Sequence, residues 1–231
     1  MSRIEAHQTV QAVAKKVLND LAVTIVAEDT ERSIAQRATQ MMAAHGIHDT
    51  WYYNCPAFVL LGARSCLSIS GREYQASDEA VGQTNLVTVD LSPLRGGVWG
   101  DCARSFIVED GHCTENPTSA EFQEGLAFER ELHARMMDVT RPDTKFMELF
   151  EFANAMITAR GFENLDFLGN VGHSIESARV YRRYIEKGNG ARLGDVGLFT
   201  FEPHIRKLGG VWGFKHENIY CFGSDGRPVE I

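Results

Sequence analysis

Apolar residues return at helical intervals near the start of the chain. Val10, Val13, Ala14, Val17, Leu18 and Leu21 lie on one stripe, which predicts an amphipathic helix from Ile4 to about Ala27. A second helix follows, with Asp29-Thr30 as N-cap, Ala35, Ala38, Met41 and Met42 as its stripe, and Gly46 as the residue that ends it. The same signals recur downstream. Asp143-Thr144 opens a helix whose stripe is Phe150, Ala153, Met156 and Ile157, Gly161 closes it, and another helix precedes it at about Ala120 to Val139. Met-Met-Ala-Ala-His-Gly-Ile (41–47) lies over Met-Ile-Thr-Ala-Arg-Gly-Phe (156–162) at an offset of 115, half the chain. That offset predicts two similar helix-plus-strand halves sharing one core.

Between and after the helices, Ala57–Leu61, Thr84–Leu91, Cys102–Val108, Gly197–Phe201 and Asn218–Phe222 are apolar, β-branched or aromatic and bounded by Gly, Pro or Asp, the signature of strands. Arg95-Gly96-Gly97 reads as a hairpin tip between two of them. No stretch rich in Pro, Gly or Ser divides the 231 residues, so the expectation is one α/β (α+β) domain over residues 1–231.

Composition narrows the function. Hydrophobic residues at 44% and charged residues at 23% allow a sizeable buried core. A net charge of −8, without a basic run longer than Lys15-Lys16 or Arg182-Arg183, gives no footprint for nucleic acid or anionic lipid, and neither partner is expected. The chain lacks a signal-peptide core and any apolar run near the ~18 residues of a membrane span, so a cytoplasmic location is the expectation. The five cysteines are scattered without a C-x-x-C pair and read mostly as buried small apolar residues. A homodimer is left open.

The chemistry lies in a set of acids and one histidine. Asp90 ends an apolar strand and Asp101 starts the next, so antiparallel pairing brings two carboxylates together at the base of the hairpin. Such a pair repels unless one member is protonated or a divalent cation is shared between them. His173 follows a Gly-rich turn in Gly169-Asn-Val-Gly-His, Glu202 ends an apolar strand in Phe199-Thr-Phe-Glu-Pro, and Glu217 begins another in Glu-Asn-Ile-Tyr-Cys-Phe. An acid in such an apolar run is costly unless paired or metal-bound. The metal reading requires these groups to converge on one another, and not on a salt-bridging Lys or Arg.

These segments, in this order and spacing, resemble the M24 metallopeptidase family of methionine aminopeptidases, aminopeptidase P and prolidases, over about residues 3 to 223. The resemblance implies a duplicated, pseudo-two-fold "pita-bread" domain, without the additional N-terminal domain of aminopeptidase P and creatinase. It also implies two divalent metal ions (Mn, Co, Zn or Fe) held by Asp90, Asp101, His173, Glu202 and Glu217, with Asp101 and Glu217 bridging and Glu202 shuttling the proton. The implied activity is hydrolysis of an amide bond in a small peptide or peptide-like metabolite by metal-activated water, as in an aminopeptidase or Xaa-Pro dipeptidase.

The chain departs from that pattern in two places. A second histidine expected about seven residues after His173 is replaced within Ser-Ile-Glu176-Ser-Ala-Arg179-Val180-Tyr181, and another, expected some eighteen residues before Asp90, is absent from Ser70-Gly-Arg72-Glu-Tyr74-Gln75. Both normally contact the substrate carbonyl in the family. Arg72, Tyr74, Arg179, Tyr181 and His204 are the polar groups close to the motifs that are candidates for substrate binding, and Arg179 with Arg182-Arg183 offers guanidinium to a substrate carboxylate. The departures leave two other readings on the same fold: a creatinase-like C–N hydrolase or lyase, and a catalytically inactive binding module.

Overall fold

The computed structural model describes residues 3–231. In the first half, α1 (Arg3–Ala22) and α2 (Glu31–Ala44) precede β1 (Asp49–Thr50), β2 (Ala57–Leu61), β3 (Asn85–Leu91), β4 (Pro93–Arg95), β5 (Val98–Trp99), β6 (Cys102–Glu109) and β7 (His112–Thr114). The second half begins with α3 (Ala120–Val139) and α4 (Phe146–Ala159). It continues through β8 (Phe162–Asn164), β9 (Phe199–Phe201), β10 (His204–Lys207), β11 (Gly213–Lys215), β12 (Asn218–Phe222) and β13 (Pro228–Glu230).

The first helix is shorter than its apolar periodicity predicts. It ends at Ala22, Val23 is 86% exposed, and the chain turns so that Asp29 Oδ2 accepts from the Val26 amide (3.0 Å). Asp29 also pairs with Arg37 of α2, so local polar contacts replace the last predicted turn. Thr30 caps α2 as expected: its hydroxyl accepts from the Ser33 amide (3.1 Å), and Ser33 Oγ accepts from Thr30 N (2.9 Å). The second predicted N-cap, Asp143-Thr144, shifts, with α4 starting at Phe146 and Glu148 accepting from the Lys145 amide (2.8 Å). The repeat is present: α2 and α4 have 14 residues each, α1 and α3 have 20 each, and Gly46 and Gly161 end the shorter pair at φ 75° and 74°.

The largest sheet is antiparallel in the order β2-β3-β6-β7, flanked by three-stranded sheets β1-β4-β5, β11-β10-β8 and β13-β12-β9. Within it, Leu91 faces Cys102 and Asp90 faces Ala103, while Gly96-Gly97 turns the smaller hairpin of β4 and β5. The expectation of one shared core is corrected. Each helix pair covers its own sheet, and the buried apolar side chains gather into two main clusters, one around Val17, Ile34, Val59 and Val89, the other around Phe122, Leu149, Phe201 and Phe214. A smaller cluster of Trp99, Ile175, Leu198, Ile219, Cys221 and Ile231 draws on both halves. Cys55, Cys102 and Cys221 are buried, Cys66 and Cys113 half-buried, and all five are free thiols.

The halves are stitched at the strand ends. Ala103 in β6 and Glu217, just before β12, exchange main-chain hydrogen bonds of 3.0 and 3.4 Å. The segment around His173 lies along β9: the Thr200 amide donates to His173 O (2.7 Å) and Glu202 N donates to Val171 O (2.9 Å). Gly172 makes this approach feasible. Its φ is +149°, and a Cβ there would lie 2.3 Å from Thr200 O. Gly172→Ala is therefore expected to destabilise the protein by about 1–3 kcal/mol through backbone conformation alone, with the steric overlap adding to it. Urea denaturation checks this, and an unchanged midpoint would contradict the assigned contact.

Candidate metal centre

All five predicted groups converge on one cavity of about 730 Å³, lined among others by Asp90, Asp101, His173 and Glu202, with Glu217 buried behind them. The sequence places each acid by strand geometry. Asp90 lies within β3, Asp101 immediately precedes β6, Glu202 follows β9, and Glu217 precedes β12. Gln11, a polar residue in the buried stripe of α1, fixes Asp101 by reciprocal hydrogen bonds to its main chain at 2.7 and 2.9 Å. Ligand atoms of Asp101, His173 and Glu217 lie within 4.8 Å of one another.

His173 Nδ1 lies 3.0 Å from Ser174 O, an acceptor, so Nδ1 carries the proton and Nε2 presents its lone pair. That lone pair faces Asp101 Oδ2 at 3.4 Å and Glu202 Oε1 at 3.5 Å. Acceptor set against acceptor is unfavourable unless a cation or proton lies between them. Asp101 Oδ2 and both Glu217 oxygens are buried and have no hydrogen-bond partner among the described residues. Burial pushes the Asp101 carboxyl up to about 6, although His173 opposes the shift. Burial, Asp101 and Glu202 together raise Glu217 well above the usual carboxylate range. For Glu202, burial alone would raise the carboxyl, but Lys215, His173 and Arg182 outweigh it and hold it low. Hard oxygen donors and one imidazole nitrogen converge here, with Asp101 Oδ2 and both Glu217 oxygens lacking a hydrogen bond among the described residues, a donor set that fits divalent transition-metal ions.

Sequence reasoning missed Lys215. Its Nζ lies 2.6 Å from Asp90 Oδ2, 3.3 Å from Glu202 Oε2 and 3.6 Å from Glu217 Oε2. The signal was its position two residues before Glu217, since alternate residues of an extended strand face the same side. One ammonium supplies one charge to four acids and leaves Asp101 outside its ion pairs, so it serves only part of the constellation.

Of the five candidate substrate residues, His204 lines the cavity and four do not. His204 Nε2 is held by Ser65 O at 2.6 Å, and burial pushes the imidazole down to about 4, which keeps it neutral. Tyr74 braces β2 through Val59, its hydroxyl donating to the carbonyl (2.9 Å) and accepting from the amide (3.2 Å). Arg179 and Arg72 stack on the Tyr53 ring at 3.5 and 4.4 Å, and Tyr181 is 64% exposed. Arg182, Trp51 and Tyr184 line the cavity in their place.

Beneath the acids, Glu129 of α3 is buried and accepts from Ser105 Oγ (2.9 Å). Burial nevertheless pushes its carboxyl up to about 8 from an ordinary value of 4.5. Its folded-state value is raised, so the stability it contributes is fully present below pH 4.5 and is lost as pH rises towards 8. Glu129→Gln should escape this loss of about 1.4 kcal/mol per pH unit. Urea unfolding at pH 5 and pH 8 measures the difference, and parallel pH dependence in variant and wild type would refute it.

A family model described as metallopeptidase family M24 matches residues 5–222. The chain belongs to metallopeptidase family M24. This M24 chain is 26% identical over 223 residues to methionine aminopeptidase A of Synechocystis sp., covering 92% of the chain and 81% of that relative. Its fold matches the X-Pro aminopeptidase from Thermotoga maritima with a TM-score of 0.82 at 20% identity, covering 99% of this chain and 60% of that one. The prolidase from Pyrococcus furiosus gives 0.80 at 19% identity, covering 99% and 63%. The M24 chain thus has the mixed α/β pita-bread fold and spans about three-fifths of the length of these two structures. Among the described residues no helix is long and apolar enough to cross a membrane.

Proposed function

We propose that the chain is a single-domain, cytoplasmic dinuclear metallohydrolase that cleaves an amide bond in a small peptide or peptide-like metabolite, as an aminopeptidase or Xaa-Pro dipeptidase does. One observation carries the reading: ligand atoms of Asp101, His173 and Glu217 lie within 4.8 Å of one another, with Asp101 Oδ2 and both Glu217 oxygens buried and without a hydrogen-bond partner among the described residues. Asp90, Asp101, His173, Glu202 and Glu217 would hold two divalent ions of Mn, Co, Zn or Fe, with Asp101 and Glu217 shared between them. When bound, such ions lower the pKa of water and polarise a carbonyl.

The chain's own residues do the rest. Glu202, half-buried at the cavity wall, takes the proton of the attacking water and delivers it to the leaving nitrogen. The new C–O bond forms first, giving a tetrahedral state, and the C–N bond then breaks as the nitrogen is protonated, yielding a carboxylate and a free amine. Trp51, Tyr52, Phe58 and Leu60 give the cavity an apolar wall for the substrate side chain.

A second reading, a binding module without catalysis, is favoured by Lys215, whose ammonium pairs with three of the acids. Metal analysis separates the two. Protein purified without chelator should carry two equivalents of transition metal, lost in Asp101→Asn, and should turn over one of a panel of Xaa-Pro, Met-Xaa and acidic dipeptides with added Mn or Co. A metal-free, inert protein of unchanged stability establishes the module instead.

A further inference from the structure

Arg182 leaves a short 3₁₀ turn (Arg179–Tyr181) and carries its guanidinium into the cavity, 5.2 Å from the centroids of both Trp51 and Tyr184. Its Nε donates to Arg179 O (3.2 Å), and Nη1 lies 3.4 Å from His173 Nε2. Trp51 is itself fixed, donating through Nε1 to Gly100 O (2.8 Å) and packing on Trp99 at 4.5 Å. The bracket thus has one wall from each half of the fold.

Among the described residues Arg182 forms no ion pair, although its guanidinium is always charged and half-buried. The other basic groups lining the cavity are committed elsewhere. Lys215 is shared among Asp90, Glu202 and Glu217, and His204 is held by the Ser65 carbonyl. Arg182 is therefore the cation left to meet negative charge on a bound molecule. Its Nη1 stands 3.4 Å from His173 Nε2, an atom of the proposed metal site, so the reacting carbonyl of a substrate held at that site would come within its reach.

Resting on the peptidase reading above, we propose that Arg182 is a catalytic residue: its guanidinium donates a hydrogen bond to the carbonyl oxygen of the scissile amide and strengthens it as negative charge gathers there. An amide oxygen is neutral in the bound substrate and anionic in the tetrahedral state. The contact therefore acts on kcat more than on KM.

Arg182→Ala, loaded with Mn, is expected to lose about 10²- to 10³-fold in kcat, the effect of removing one such donor. Its KM should stay within about threefold of wild type, because the ground-state contact is weak. Metal content should be unchanged, and Arg182→Lys should recover part of the loss. A phosphinate dipeptide analogue, with a tetrahedral anion in place of the amide, should bind Arg182→Ala about 10²-fold more weakly by calorimetry. Equal analogue affinity in the two proteins overturns the assignment. So does a loss confined to KM that vanishes when the substrate's carboxylate is amidated, which would make Arg182 a carboxylate anchor. Loss of metal from Arg182→Ala also overturns it, because the arginine would then act by positioning His173. Failure of the wild type to hydrolyse any peptide overturns the peptidase reading, whereas analogue binding decides the role of Arg182 in either case.

Discussion

Glu217→Gln is expected to lose metal-dependent stabilisation while folding at least as well as wild type without metal. The two side chains are isosteric, and both Glu217 oxygens are buried with no hydrogen-bond partner among the described residues, the Lys215 ammonium standing 3.6 Å from Oε2. Burial beside Asp101 and Glu202 drives this carboxyl well above the usual range. Burial thus disfavours the charged form in the metal-free fold, so a neutral amide replaces it at little cost. The metal-bound state differs, because the site needs the carboxylate charge that glutamine lacks. At a free metal concentration of a hundred times Kd, binding stabilises the wild type by about 2.7 kcal/mol. For a chain of this size that is about 5–10 °C in Tm. Scanning calorimetry with and without Mn reads both halves of the expectation. A variant that keeps the full thermal shift excludes Glu217 from the metal shell.

The second large effect concerns Lys215. Removing its ammonium in Lys215→Met leaves Asp90, Glu202 and Glu217 without their shared counter-charge. Breaking a fully buried pair from one side costs about 3–5 kcal/mol, and with Lys215 and Asp90 at 21% and 23% exposure the metal-free variant should be less stable by up to that amount. A divalent ion competes with this ammonium for the same carboxylates, so the loss should reverse on metal binding. Affinity for Mn should rise by about 5- to 150-fold, the usual range of coupling between linked sites. Titration calorimetry with Mn measures it. Weaker binding in the variant would mean that Lys215 holds Asp90 in place for the ion and does not compete with it.

Much of this architecture was legible in the chain. The strands around Asp90, Asp101, Glu202 and Glu217 are short apolar runs bordered by an acid, a pattern that local chemistry marks clearly, and four helices announce themselves by period, two of them also by a glycine stop. What was misread depended on contacts between distant segments. Residues 23–27 continue an apolar pattern, yet Asp29 turns the backbone there. Tyr74 and Arg179 looked like substrate groups because they are polar and near motifs, but Val59 and the Tyr53 ring, remote in sequence, claim them. Lys215 and Arg182 were visible as charges. Only the pairing of β6 with the approach to β12, and the 3₁₀ turn before Arg182, decide which way they face.

The placement of the acids has a mechanical corollary. Asp90 and Asp101 belong to one buried cluster's half of the chain and His173, Glu202 and Glu217 to the other's, so metal held as proposed by these five would act as a clasp across the join. Stripping it should let the halves open on separate schedules, with amide protons in α2 and α4 exchanging at unlinked rates, while reloading should slow both together.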